Sequence, residues 1–320
     1  MKILITGGGG FQGSHLTEYL ISKGHDISVL NTYSEASKAN LSQVKDKIDL
    51  IWGSITDKEI VDKSVRGQDV VFHLAAHINV DESLKEDPMV FFHGNILGTY
   101  NVLEAVKKNG NRLILTSTCE VYGDGHDLKD SELLDETAEL RPNSPYAASK
   151  VAADRISYSY FKSFGVDITI VRPFNLFGER QKSGRFGALI PILVANAMRG
   201  EDLVIFGTGE STRDYTHVSD IIQAYDIVLN NGEALKGKAI NFASGQNTKI
   251  KDIAEYIAKR FGVKVVHGPE RPGEVLRFPS DISFAKSFGY SPKVSVWDGI
   301  DKYIEWAISE EYKKSIKSTY

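Results

Sequence analysis

Short runs of aliphatic and β-branched residues recur through the first half of the chain, at Lys2–Thr6, Ile27–Asn31, Ile48–Trp52, Val70–Leu74, Arg112–Ser117 and Asp167–Arg172. The runs are nearly continuous rather than alternating, the pattern of strands buried on both faces of a parallel sheet. Stretches with helical periodicity lie between them, Phe11–Lys23 and Met89–Lys108 among these. Strand and helix in alternation predict an α/β fold with a doubly wound, Rossmann-type parallel sheet. The texture changes after Pro173. Phe174–Phe186 is rich in Gly, Asn and charge and predicts an irregular binding loop. Helices are predicted at Ala188–Arg199, Ser219–Asn230, Ile250–Phe261 and Val296–Ile308, and the run Lys238–Phe242 is predicted to return to the main sheet. The second half therefore reads as a smaller, mixed α/β cap interleaved with the sheet. The predicted division sets residues 1–172 and 218–246 with the sheet and residues 173–217 and 247–320 with the cap.

Composition narrows the classes. The chain is 42% apolar and 25% charged, which suits a soluble globular protein. No apolar run reaches the roughly 18–20 residues of a membrane span, and the opening apolar stretch is too short for a secretory signal. Cys119 is the only cysteine, so no internal disulfide can form, which suits a reducing cytoplasm. The net charge of −4 gives nucleic acid or anionic lipid no global attraction. An anionic ligand would need local arginines.

The first run is followed by Gly7, Gly8, Gly9, Gly10, Phe11, Gln12 and Gly13, then a helix. Glycines at 7, 10 and 13 permit a tight turn, close approach of backbone to a pyrophosphate, and close packing of helix on strand. The helix start then points bare N–H groups at the phosphates. The second run ends at Asn31, where a carboxylate usually reads the adenosine ribose of NAD. Asparagine can hydrogen-bond there without repelling a 2′-phosphate. The absence of a nearby arginine favours NAD, with NADP left open.

Ser144-Pro145-Tyr146-Ala147-Ala148-Ser149-Lys150 opens a helix, with Ser144 as N-cap and Pro145 as its first residue. Tyr146 and Lys150 share a face. A lysine cation beside a phenol lowers the phenol's pKa and makes Tyr146 a candidate general base for a sugar hydroxyl. His73 and His77 have no further ligands clustered in the sequence, so a buried, hydrogen-bonded His73 is expected and no metal site is predicted.

Thr6–Gly13, Phe72-His73-Leu74-Ala75-Ala76, Asn95-Ile96-Leu97-Gly98-Thr99, Ser117–Gly123 and Tyr146–Lys150 occur in this order. Together they resemble the extended short-chain dehydrogenase/reductase family, over essentially the whole chain. The resemblance implies a catalytic trio of Thr118, Tyr146 and Lys150. It implies cofactor contacts at Gly7, Gly10, Phe11, Gln12, Gly13, Asn31, Ser54, Ile55, Leu74, Ala75 and Ala76, besides Tyr146 and Lys150. It also implies a homodimer through two helices per subunit, roughly Met89–Lys108 and Tyr146–Phe164.

The downstream segments resemble the sugar-nucleotide epimerases and dehydratases of that family. By that likeness Asn175 gives an amide to the substrate diphosphate, Arg213 and Arg271 grip it, and Ile190 and Pro191 border the base, with uridine expected. Guanidinium forks match phosphate oxygens in geometry and charge. Arg180 and Arg185 sit in the predicted binding loop as further candidates. These enzymes first oxidise C4 of the hexose. A 4-epimerase then needs no base at C5, whereas a dehydratase needs a base for the C5 proton and a donor for the leaving 6-hydroxyl. Cys119-Glu120 stands where dTDP-glucose 4,6-dehydratases carry Asp-Glu. Glu120 matches the base, and a protonated thiol at Cys119 can replace the acid. The Cys-Glu pair resembles the UDP-N-acetylglucosamine 5,6-dehydratase of the tunicamycin type. The expected function is thus an NAD-dependent sugar-nucleotide dehydratase, with a UDP-hexose 4-epimerase as the alternative.

Overall fold

The structure is a computed structural model; it describes residues 1–123, 132–184, 187–270 and 277–309. Seven parallel strands form the central sheet: β1 (Lys2–Thr6), β2 (Asp26–Asn31), β3 (Ile48–Trp52), β4 (Val70–His73), β5 (Arg112–Thr116), β6 (Ile168–Pro173) and β7 (Ala239–Phe242). Their order is β7-β6-β5-β4-β1-β2-β3, so the chain reverses direction between β1 and β4. Crevices for ligands form at such switch points, outside the C-terminal ends of the strands. The predicted return of the late strand holds: Ala239 pairs with Ile170 and Phe242 with Pro173.

One face of the sheet packs Ile3, Ile5, Phe72, Ile114 and Val171 against Leu16, Ile221 and Tyr225, and the other packs Leu4, Val71, Leu113 and Ile170 against Val102, Val106 and Tyr160. Both faces are covered, which is why the strands read as continuous apolar runs. A separate core gathers Leu193, Val194, Leu203, Ile253, Ile257, Ile300 and Tyr303. The helices Leu189–Met198, Ile250–Phe261 and Val296–Ile308 close around it with the parallel strand pair Leu203–Phe206 and Val265–Gly268. This is the mixed α/β cap. Within the stretch expected in the cap, Phe278, Ile282, Ala285 and Tyr290 pack instead into the core beside the sheet, with the Tyr290 ring 4.9 Å from that of Phe242.

The helical stretch predicted from Met89 does not run uniformly. Met89–Phe91 is followed by a wider π-helical turn over Phe92–Leu97 and by an α-helix at Gly98–Asn109. Two close approaches accompany the widening. A Cβ on Gly94 would stand 2.3 Å from the His77 ring, and one on Gly98 2.4 Å from Ile55. π-turns of this kind are frequent at functional sites.

Candidate active site

The glycine turn is built by steric exclusion. Gly7 has φ +76°, and a Cβ there would meet the Ala75 nitrogen at 2.7 Å. At Gly13 it would lie 2.1 Å from the Gly7 carbonyl oxygen, so the first helix (Phe11–Ser22) can rest on the turn only with hydrogen at that position. Gly10 caps the helix without a side-chain bond, and the Gly7 N–H donates to the Leu30 carbonyl at 2.8 Å. The result is a cradle of exposed backbone at a helix start, suited to a pyrophosphate. Gln12 borders it and accepts a hydrogen bond from the Tyr225 hydroxyl at 2.9 Å.

Asn31 is bonded on both sides of its amide inside the loop. Its Oδ1 accepts the Gly9 N–H at 3.0 Å, and its Nδ2 donates to the Thr32 carbonyl at 2.6 Å and to Ser37 Oγ at 3.0 Å. These bonds make Asn31 a strut for the loop. Ala75 N–H donates to Thr6 Oγ1 at 3.3 Å, and half-buried Leu74 and Ala76 flank it. Ser54 Oγ bonds Thr56 Oγ1 at 2.8 Å, and the Ile55 carbonyl accepts Asn101 Nδ2 at 3.0 Å. His73 is buried between the hydroxyls of Thr6 at 2.7 Å and Thr99 at 3.0 Å. Burial, with the charge of Lys150 nearby, pushes it down to about 3, so it stays neutral. Among the described residues no group of His, Cys, Asp or Glu is placed to hold a metal.

The turn after β5 carries the second cluster. Thr118 caps the short helix Cys119–Tyr122, its Oγ1 accepting the Glu120 N–H at 3.3 Å. The helix Pro145–Phe164 begins as the sequence predicts, with Ser144 Oγ accepting the Ala147 N–H at 3.1 Å. Tyr146 is buried, with the Thr118 side chain beside its hydroxyl. Lys150 is buried one turn later and donates to the Thr116 carbonyl at 2.7 Å. The expected lowering of the phenol by Lys150 is not found. Burial raises Tyr146 and the Glu120 charge raises it further, while the Lys150 ammonium is spent on Thr116. Burial also lowers Lys150, to about 8, against an opposing pull from Asp154.

Thr118, Cys119, Glu120, Tyr146, Asn175 and Arg213 are brought together. The Asn175 N–H and the Thr118 side chain lie near the Cys119 sulfur and favour its thiolate, but burial, with Glu120, outweighs them and pushes the thiol up, so it keeps its proton. Burial raises Glu120 as well, with Arg213 pulling it back. The Asn175 Nδ2 is buried and has no partner. The Arg213 guanidinium lies 5.7 Å from the Phe278 ring, and next to it the buried Asp214 accepts Ser244 N–H, Ser244 Oγ, Gly245 N–H and Ser280 Oγ. Ile190 is 1% exposed within the cap core, with half-buried Leu189 beside it. Arg180 donates to Glu18 at 2.7 Å, on the first helix. Arg185 and Arg271 lie outside the described residues.

The comparisons with known proteins agree with this geometry. The sequence profile of the NAD-dependent epimerase/dehydratase family matches residues 3–243. The chain belongs to that family. A dTDP-glucose 4,6-dehydratase of Mycobacterium tuberculosis is 37% identical over 313 residues, covering 96% of this chain and 93% of the relative. The structure of UDP-glucose 4-epimerase from Thermotoga maritima with UDP-glucose superposes with a TM-score of 0.88 at 29% identity, covering 99% of this chain and 100% of that one. That of a dTDP-glucose 4,6-dehydratase from Streptomyces venezuelae with NAD bound gives 0.88 at 29% identity, covering 98% of each chain. The glycine cradle fits the cofactor of this epimerase/dehydratase family, with the backbone of Gly7, Gly10, Phe11, Gln12 and Gly13 the part that would hold NAD.

The sequence reading missed the framework behind the cluster. Arg172, 1% exposed, donates to Asp154 at 3.0 Å and to the Tyr122 hydroxyl at 2.8 Å, and Tyr122 donates to Asn241 Oδ1 at 2.7 Å. An arginine inside an apolar strand and an aspartate one turn past Lys150 were the available clues.

Proposed function

We propose that this epimerase/dehydratase is a sugar-nucleotide dehydratase, with UDP-N-acetylglucosamine as the first substrate to test. The carrying observation is the half-buried Glu120 carboxyl, whose charge acts on both the Tyr146 phenol and the Cys119 thiol. Arg213 and the unpartnered Asn175 amide supply a cation and a donor for a diphosphate. NAD, when bound, would take the hydride of C4, return it to the sugar at C4 or C6 so that the net change is loss of water, and bring a cationic ring to the site. Tyr146 accepts the proton of the 4-hydroxyl as phenolate, a form that burial and Glu120 oppose and that the cofactor's cationic ring would favour; the Lys150 ammonium, held on the Thr116 carbonyl, is the fixed cation of the centre. Glu120 takes the C5 proton. Its partial burial suits the task, because a carboxyl raised above its ordinary range is a better-matched base than an exposed one. Cys119 holds a proton close to Glu120 and gives it to the departing 6-hydroxyl, leaving as thiolate stabilised by the Asn175 N–H.

The second reading is a UDP-hexose 4-epimerase, and the raised thiol favours it, since a thiol that holds its proton tightly is a slow acid. Incubation with UDP-N-acetylglucosamine in deuterated water separates the two. Dehydration gives a product lighter by one water, and Glu120→Gln abolishes it. An isotope-free C4 epimer, unchanged in Glu120→Gln, would overturn the dehydratase reading.

A homodimer is part of the proposal. Met89, Leu97 and Tyr100 on one helical stretch and Tyr158 and Phe164 on the other are exposed large apolar residues. Pairing of these helices across a twofold would cover them. A mass by light scattering equal to one chain would exclude it.

A further inference from the structure

Two consecutive residues at the end of β5 are gripped by successive turns of the same helix, and a third lies beside it. Lys150 holds the Thr116 carbonyl at 2.7 Å, Asp154 accepts Ser117 Oγ at 2.9 Å, and Tyr146 stands beside Thr118. Spacing of four places Tyr146, Lys150 and Asp154 on one buried face. Asp154 is 0% exposed and carries two arginines. Arg172 reaches it from β6 at 3.0 Å and 3.2 Å, through Nε and Nη2. Arg155 reaches it from the same helix through Nε at 2.9 Å and also through Nη2. The Arg155 side chain is 45% exposed, whereas that of Arg172 is 2% exposed. Burial works against the Asp154 charge, and Arg172 and Arg155 outweigh it.

The groups facing Lys150 are few. His73 on β4 is neutral, Thr116 on β5 offers a carbonyl, and Asp154 on its own helix is the anion that favours its charged form. We propose that Asp154 is a positioning residue that fixes the charge of Lys150 and, through the arginines that share it, sets how far the active pH range extends on the alkaline side. The proposal rests on the proposed role of Lys150 as a cation in the reaction centre. Removing the anion leaves two arginines facing the ammonium and disfavours it. Removing Arg155 leaves the anion less compensated and favours it. The two substitutions therefore act with opposite sign, which no loss of packing would produce.

The test reads Lys150 directly in the apoprotein, by trace labelling with acetic anhydride across pH and peptide mass spectrometry. The wild-type midpoint is expected near 8. Asp154→Asn should lower it by about one unit and Arg155→Gln raise it by about half a unit, with Asp154→Glu close to wild type. The alkaline limb of nicotinamide reduction by sugar nucleotide, followed at 340 nm, should move the same way. Should Asp154→Asn fail to fold, Arg155→Gln and Asp154→Glu carry the test. Midpoints unmoved in Arg155→Gln, or moved in one direction in both charge variants, would overturn the proposal. Midpoints that shift while the reaction limb stays fixed would instead overturn the role given to Lys150 in the proposed function.

Discussion

The turn after β1 and the turn after β5 leave the same edge of one sheet, and they are held by different means. At the first, hydrogens stand where side chains would collide: Gly13 would meet the Gly7 carbonyl at 2.1 Å, and Gly7 would meet the Ala75 nitrogen at 2.7 Å. At the second, Thr116 and Ser117 are bonded by side chains of the Pro145–Phe164 helix, and Tyr146 of that helix stands beside Thr118. A cradle for backbone contact needs space, which a chain obtains with glycine and local spacing. A reaction centre needs charge and protons in a dry place, and these must be paired from several strands. The first should fail by steric collision and the second by loss of chemistry.

Gly13→Ala tests the steric half and carries the largest expected effect on affinity. The backbone facing the new methyl cannot move without opening the cradle. NAD affinity should fall more than about 100-fold, with about 1–3 kcal/mol of lost stability. Isothermal titration and chemical denaturation read the two. Gly110→Ala is the matched control. It also has positive φ, at +73°, but open space around it, so it should cost about 1 kcal/mol of stability and leave NAD affinity within twofold. Equal losses of NAD affinity in both would end the distinction drawn here.

Tyr146→Phe tests the chemical half. The phenol is buried beside Thr118, and removing its oxygen leaves the ring in place. Turnover should fall by about 10²–10⁴-fold, the usual worth of one proton-transfer group, with NAD and UDP affinities within about twofold. A variant with normal turnover would take the phenol out of the reaction.

This contrast also explains what the sequence disclosed. Gly7, Gly10 and Gly13 were legible because their constraint is local, and the strands of the sheet were legible because both faces are buried. Tyr146 and Lys150 were legible through helical spacing, and their order with the other motifs marked the family. The framework around them was not, because Asp154, Arg172, Tyr122 and Asn241 meet only across β5, β6 and β7. The elevation of the Tyr146 phenol was hidden for the same reason: it depends on burial and on Glu120, not on the neighbouring lysine. The widened turn at Phe92–Leu97 depends on close approaches to His77 and Ile55, which no periodicity reports.

Asn31 is where the two modes of construction meet, and it gives the smallest and sharpest effect. It ends β2, beside the cradle, yet it works by side-chain bonding: Oδ1 holds Gly9, and Nδ2 holds Thr32 and Ser37. A reading from position alone holds that Asn31→Asp should tighten NAD, because a carboxylate there would bond the ribose. The geometry gives the opposite sign. Aspartate keeps an acceptor for Gly9 but loses both donors, and its charge then faces the Thr32 carbonyl. The loop loses a strut while the backbone turn remains. Stability should drop by about 1–2 kcal/mol and NAD should bind about fivefold more weakly. Titration of the apoprotein with NAD decides between the signs. Tighter binding would mean that Asn31 faces the ribose after all, and weaker binding would mean that the cradle depends on one side chain as well as on its glycines.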